Sequence, residues 1–423
     1  MKGGQKIPAG ALQFVLFIGA IIAILLLTFV LISHSHSHFN KKTDLTVGVV
    51  LAADYGLQYA FEQELKSGDS LLLPPYGPMG IEIRVQKTYW GVFQKWHSMA
   101  RHRAVAFAKT ALVGMASDTD TTALYLRDRQ RPLVLAGKSK LTGHVYVPKQ
   151  GLRMGNIAGN AYIHKQLVFG EQRLSKERLP LLDSEILEQI RYLTWPDFQP
   201  RGEAAALRPG LELKNSFASP TTYIQDHNVT LQGVALSGNI VVHALQRITV
   251  HKSAHLKDVL LIAPEIHIKD GVTGYFQAIA SKHITVGKQC RLSYPTALAV
   301  QPGPDAPVQN PIDLKPNIVV EAGSAVQGML LYLDTSEGYR HTPQIYIAEG
   351  ATILGEVYCA KNLELKGSVL GRVYTDAFIA LENGSIYQNH LYRGTIDRSG
   401  LPNTYVGLPM ETETAQNYMK WMY

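Results

Sequence analysis

The chain has 423 residues, 46% of them hydrophobic and 18% charged, which excludes disorder over most of its length and allows two or three folding units. Its 41 Lys and Arg against 34 Asp and Glu leave a net charge of +7, enough to favour anionic surfaces but too little to demand nucleic acid. Two cysteines, Cys290 and Cys359, exclude a disulfide framework and a cysteine-rich metal centre.

After a short head at 1–10, the stretch 11–33 reads as a transmembrane helix. No Asp, Glu, Lys or Arg occurs from Ile7 to Asn40, and the apolar run from Phe14 to Ile32 is long enough as a helix to cross a bilayer, making the lipid its first expected partner. Lys2 and Lys6 before it balance Lys41 and Lys42 after it, so the basic count does not orient it. The short head and large body suggest a signal-anchor in a bacterial inner membrane, with the body outside the cytoplasm. His34, His36 and His38 alternate at the exit; on a helix they spread over the surface with no carboxylate or Cys beside them, and are expected to be solvated.

Residues 34–135 read as a helix-plus-sheet stalk. Leu45 to Leu65 continues the helix without a proline, and Ile81 to Val85 alternates strictly, with a further strand-like stretch from Ala104 to Leu112. A long helix feeding a small sheet resembles type IV pilin-like proteins in architecture. The resemblance stops there, because Val15 stands where the prepilin motif after Gly10 carries glutamate. Arg84, Lys87, Lys95, Arg101, Arg103 and Lys109, interleaved with Tyr89, Trp90, Phe93 and Trp96, form a candidate nucleic-acid patch. A hairpin with an aromatic core face and a basic solvated face explains the same residues and is preferred, so nucleic acid is not an expected partner.

Residues 136–175 read as early coils of a larger repeat, and 176–215 as a linker with a short amphipathic helix near Ser184–Tyr192. From 216 to 395 the periodicity is explicit. Apolar dyads begin at Ile248, Ile266, Ile284, Ile318, Ile345, Leu363 and Ile379, at intervals of 18, 18, 34, 27, 18 and 16. The longer gaps return to 18 once 301–316 and an insertion within 334–342 are set aside as loops. Within one unit the dyad recurs at every sixth position, as in Ile345/Ile347, Ala351/Ile353 and Val357/Cys359. Three inward dyads per unit predict a mainly β fold, a triangular β-solenoid whose coils stack about 4.8 Å apart. A second signature, apolar-x-Gly-x-apolar, recurs in Ile353-Leu-Gly-Glu-Val357 and Val369-Leu-Gly-Arg-Val373, and earlier in Leu141-Thr-Gly-His-Val145 and Ile157-Ala-Gly-Asn-Ala161, which are read as one or two early coils. The tail, 396–423, ends in Tyr418, Trp421 and Tyr423 and is expected to dock back, covering the open edge of the last coil.

The segment Ile345 to Ile386, with its Glu-Gly corner and these two glycine signatures, resembles the bactofilin family of polymer-forming bacterial cytoskeletal proteins over about 230–390. The resemblance implies a right-handed solenoid and self-association into a membrane-bound scaffold, with cell-envelope proteins as further partners. The alternatives are a pilin-like component of a secretion or DNA-uptake apparatus, and a solenoid glycan binder or acyltransferase. Gly137-Lys138-Ser139 lacks the first glycine of a phosphate loop, and no nucleophile elbow or metal motif occurs. His251, His255, His267 and His283 are expected to point outward on different corners or faces. No catalytic residue, cofactor or metal is therefore expected, and the protein is not read as an enzyme.

Overall fold

The computed structural model describes residues 9–63, 65–116, 121–303, 315–334, 336, 341–411 and 415–422. Most of the expected head and much of the two expected loops at 301–316 and 334–342 lie outside the described residues. The fold is mainly β with one long helix, and it divides into two compact units. One comprises residues up to 63 with 70–85 and 98–108; the other comprises 64–69, 86–97 and 109–423.

In the first unit a single helix, α1 (Ala9–Phe61), joins the apolar run to the segment predicted to continue it. Its side chains from Leu12 to Ile32 are exposed, and it is long and apolar enough to cross a membrane. Further on, Val49, Ala52, Ala53, Leu57 and Ala60 are buried, the spacing of one helical face. That face meets Ile81, Ile83 and Val85, which are buried while Glu82 and Arg84 between them are exposed. The approach is close at Gly56, where an added Cβ would collide with Ile83 and Ser98.

The second unit is built on one extensive parallel sheet. Its core consists of three series of register partners. Ile248, Ile266, Ile284, Ile318, Ile345 and Leu363 follow one another in direct register, all fully buried. A second series runs Leu236, Leu256, Gly274, Leu292, Val326, Ile353, Val369, Ile396 and Leu141. The third runs Val242, Leu261, Ala278, Leu298, Leu330, Val357, Val373, Leu124 and Val145. The last dyad is displaced by one residue: Phe378, not Ile379, is the partner of Leu363, after a register shift past Cys359. Strand Thr122–Leu126 pairs with Ser368–Glu382, and Lys140–Thr142 with Thr395–Asp397, so the early segments extend the sheet beyond its last full repeat.

The recurrent glycine has a steric cause. At Gly371 φ is +154° and an added Cβ would strike the carbonyl of its register partner Gly355. Gly355, at φ +145°, stands in the same relation to Gly328.

Outward-facing side chains of the third series form a second apolar layer. Val241, Leu260, Ile279, Ala297, Met329, Tyr358 and Tyr374 are buried beneath the segment linking the early strands to the main array. That segment carries α2 (Ser184–Thr194), opened by Asp183, whose carboxylate accepts from the Glu185 N–H at 2.8 Å. Ile186, Ile190 and Leu193 occupy its buried face. The turn after Trp90 is pinned beside them: the Gln277 carboxamide accepts from the Val92 N–H and donates to the Trp90 carbonyl, both at 2.8 Å. Gln277 is buried, so Gln277→Leu should strand two buried backbone groups and lower stability by about 2 kcal/mol, checked by urea denaturation. The tail docks elsewhere than expected: Gln416–Met422 pairs antiparallel with positions 110–115 of strand Val105–Ala116, where a hydrogen-bonding edge was open, not on a coil edge.

Candidate functional site

The sheet of the second unit ends in two ways. At one end strand Gln172–Leu174 pairs with His144–Val147 on one side and carries no strand on the other among the described residues. All three of its residues are exposed. Beside it a tight hairpin, Asn156–Ile157 with Asn160–Ala161, turns through Ala158 and Gly159, both at positive φ, as a two-residue hairpin requires. Tyr162, Leu167 and Val168 pack inward on the main core, whereas Met154, Ile163 and Leu174 are 59%, 67% and 63% exposed. Phe169 is also exposed. The charges around them are mainly basic: Arg153 and Lys165 are exposed, and Arg173 is paired to Glu171 at 2.8 Å. At the other end, Glu203–Ala204 pairs with Thr222–Leu231, and no large apolar side chain between 199 and 217 is exposed. The end at Gln172–Leu174 thus leaves backbone hydrogen-bonding groups open beside exposed apolar side chains. The sequence predicts a coil at Ile157-Ala-Gly-Asn-Ala161, but Ala158 and Gly159 at positive φ close it into an antiparallel hairpin instead; the exposed residues around it carry no dyad that would mark them.

A second surface is a groove of about 580 Å³ lined by Asn228, Thr230, Arg247, Thr249, Glu265 and Lys282 among others. Arg247 donates to Glu265 through Nε at 2.9 Å and Nη2 at 2.6 Å. His267 Nε2 lies 3.6 Å from the same carboxylate, and His283 is the register partner of Glu265. His267 and His283 therefore share one surface and are not dispersed over different faces; parallel register brings positions one repeat apart side by side. Burial pushes the Glu265 carboxyl up, but the Arg247 hydrogen bond and the charges of Arg247, His267 and His283 hold it below its ordinary value. Burial, with Arg247 adding to it, lowers the His267 imidazole. An ionised, arginine-bound carboxylate is a weak proton acceptor, and among the described residues no second carboxylate lines the groove to make an acid–base pair. What this arrangement provides is polar binding. No group of three metal-ligating side chains gathers among the described residues.

The basic–aromatic residues divide between the units. Arg84, Arg101 and Arg103 belong to the first and are exposed. In the second, Lys87 is buried and ion-paired to Glu185 at 2.7 Å. Lys95 is half-buried, which lowers its ammonium, and Lys109 sits 4.0 Å over the Trp421 ring. Trp90, Phe93 and Trp96 are buried, so their faces are not open to bases. Glu185, the counter-charge of Lys87, lies too far along the chain to be read from local sequence. His243 is buried edge-on against Phe198 at 5.3 Å. Both cysteines are buried in the core, and burial pushes the Cys359 thiol up to about 12.

Comparison of the chain with protein-family models, with curated proteins and with solved structures yields no match.

Proposed function

We propose that this chain is a membrane-anchored scaffold of bactofilin-like type, and not an enzyme. In this reading the parallel array is a three-cornered, right-handed β-solenoid, copies join through the ends of their stacks, and the anchor in a bacterial inner membrane concentrates them in two dimensions. Three buried series advancing by a nearly constant step support the solenoid, and the apolar length of α1 supports the anchor. The observation that carries self-association is the unpaired strand Gln172–Leu174 with Met154, Ile163 and Leu174 exposed around it.

The test uses the full chain in detergent, followed by sedimentation and electron microscopy. Wild-type protein should assemble in a concentration-dependent way, and Ile163→Lys with Leu174→Lys should weaken assembly at least tenfold without loss of folding. A wild-type chain that stays monomeric at high concentration would remove the scaffold reading. The packing of the later part of α1 on the strand at 81–85 favours a second reading, a pilin-like component of an envelope apparatus exposed outside the cytoplasm. Protease accessibility on intact cells tests that exposure.

A further inference from the structure

Helix α1 passes without a break through Ser33-His-Ser-His-Ser-His38 and on through Lys41 and Lys42. At 3.6 residues per turn, His38 stands about 40° from His34 around the axis, Lys41 about −20° and Lys42 about 80°. On the same scale His36 and Asp44 fall outside this arc, on the far side of the axis and beyond Lys41 respectively. Two imidazoles and two ammonium groups therefore share one side of the helix, with Asp44 at its edge, three residues beyond Lys41. All of them are exposed, and no hydrogen bond or ion pair engages the side chains of His34, His38, Lys41 or Lys42 among the described residues.

The position of this face along the axis is as telling as its composition. The apolar segment ends at Ile32, so His34 lies about 3 Å beyond it and Lys42 about 15 Å, at 1.5 Å per residue. The headgroup layer is about 5–7 Å deep on each side of the hydrocarbon. Helical side chains tilt toward the N-terminus, which here is the membrane side, and lysines extend their stems to place the ammonium at the interface. His34 therefore lies within the headgroup layer, and His38, Lys41 and Lys42, at about 9–15 Å, lean back toward its outer edge.

We propose that His34, His38, Lys41 and Lys42 form a binding face for the phosphate of an anionic phospholipid. The inference rests on the membrane-anchored reading. Ammonium groups supply charge and imidazole N–H groups supply directed hydrogen bonds to phosphate oxygens. Each lysine near an anionic surface contributes about fivefold in affinity.

The full chain is placed in nanodiscs containing phosphatidylcholine and phosphatidylglycerol in equal parts, and the lipids retained by the released protein are counted by native mass spectrometry. Phosphatidylglycerol should be enriched on wild-type protein. Lys41→Gln with Lys42→Gln should lower the enrichment at least tenfold, His34→Gln with His38→Gln should lower it severalfold, and His36→Gln should leave it unchanged. Enrichment that survives the lysine changes, or falls equally with His36→Gln, overturns the proposal. Displacement of the lipid by inorganic phosphate, but not by chloride at equal ionic strength, would assign the face to free phosphate and likewise overturn it. A chain that never enters the nanodisc refutes the anchor itself, an outcome distinct from one that enters without lipid preference.

Discussion

Glu356→Ala should destabilise the second unit by about 3–5 kcal/mol, one of the largest effects expected of any single substitution in this chain. Glu356 and Arg372 are register partners on adjacent strands, 3.4 Å apart, with side chains 0% and 1% exposed. They stand at the residue after the recurrent glycine, where side chains point away from the central core. They are nevertheless dry, because the segment around Tyr405–Leu408 lies over them. The Leu408 N–H donates to Glu356 Oε2 at 2.7 Å, and an added Cβ at Gly407 would strike the same carboxylate. Removing the carboxylate takes the ionic contact at 3.4 Å from the buried guanidinium and the acceptor from a buried N–H. Replacing both members, Glu356→Leu with Arg372→Met, should recover most of the loss, because a well-packed apolar pair avoids desolvating two charges. Urea midpoints of the wild-type, single and double variants decide the matter. A double variant as unstable as the single would place the stabilisation in the Leu408 contact and not in the ion pair.

That pair also shows where sequence reasoning stops. The two glycine signatures align by inspection, so Glu356 and Arg372 can be placed on adjacent strands from sequence alone. Their burial depends on a later segment, around Tyr405, whose docking no local pattern encodes. The dyads were legible for the same reason that the pair could be aligned: a parallel array advancing by a constant step writes each partner at a fixed distance. The reading slipped by one residue at Ile379, where the chain shortens its corner and Phe378 turns inward. It also dispersed His267 and His283. His283 stands 18 residues after Glu265 and is its register partner, so it falls beside His267; comparing the histidines only with one another, 16 residues apart, hides this. The placement of Thr122–Leu126 against Ser368–Glu382 was beyond reach, since an apolar dyad states which face is inward but not which strand lies beside it. The exposed end at Met154–Leu174 was hidden by that same gap.

Leu124→Asp is expected to release one end of the array while leaving its middle intact. Leu124 is fully buried between Val373 and Val145, its register partners on either side. A carboxylate there loses the transfer energy of the leucine and must be either desolvated or neutralised, at a total cost of about 4 kcal/mol or more. In a stacked array each repeat is stabilised mainly by its neighbours, so damage near an end spreads only as far as coupling between repeats carries it. The strands at 140–147 and 395–397 depend on residues 122–126 and 368–382 for pairing, whereas 240–300 is paired within itself. Hydrogen exchange should therefore accelerate by about 1,000-fold or more at 140–147 and by less than tenfold at 255–286, with about 1.4 kcal/mol for each factor of ten. The equivalent change in the middle, Ile284→Asp, should abolish protection throughout. Uniform loss in both variants would mean that the array folds as one cooperative block, and equal retention in both would mean that these side chains do not form a shared core.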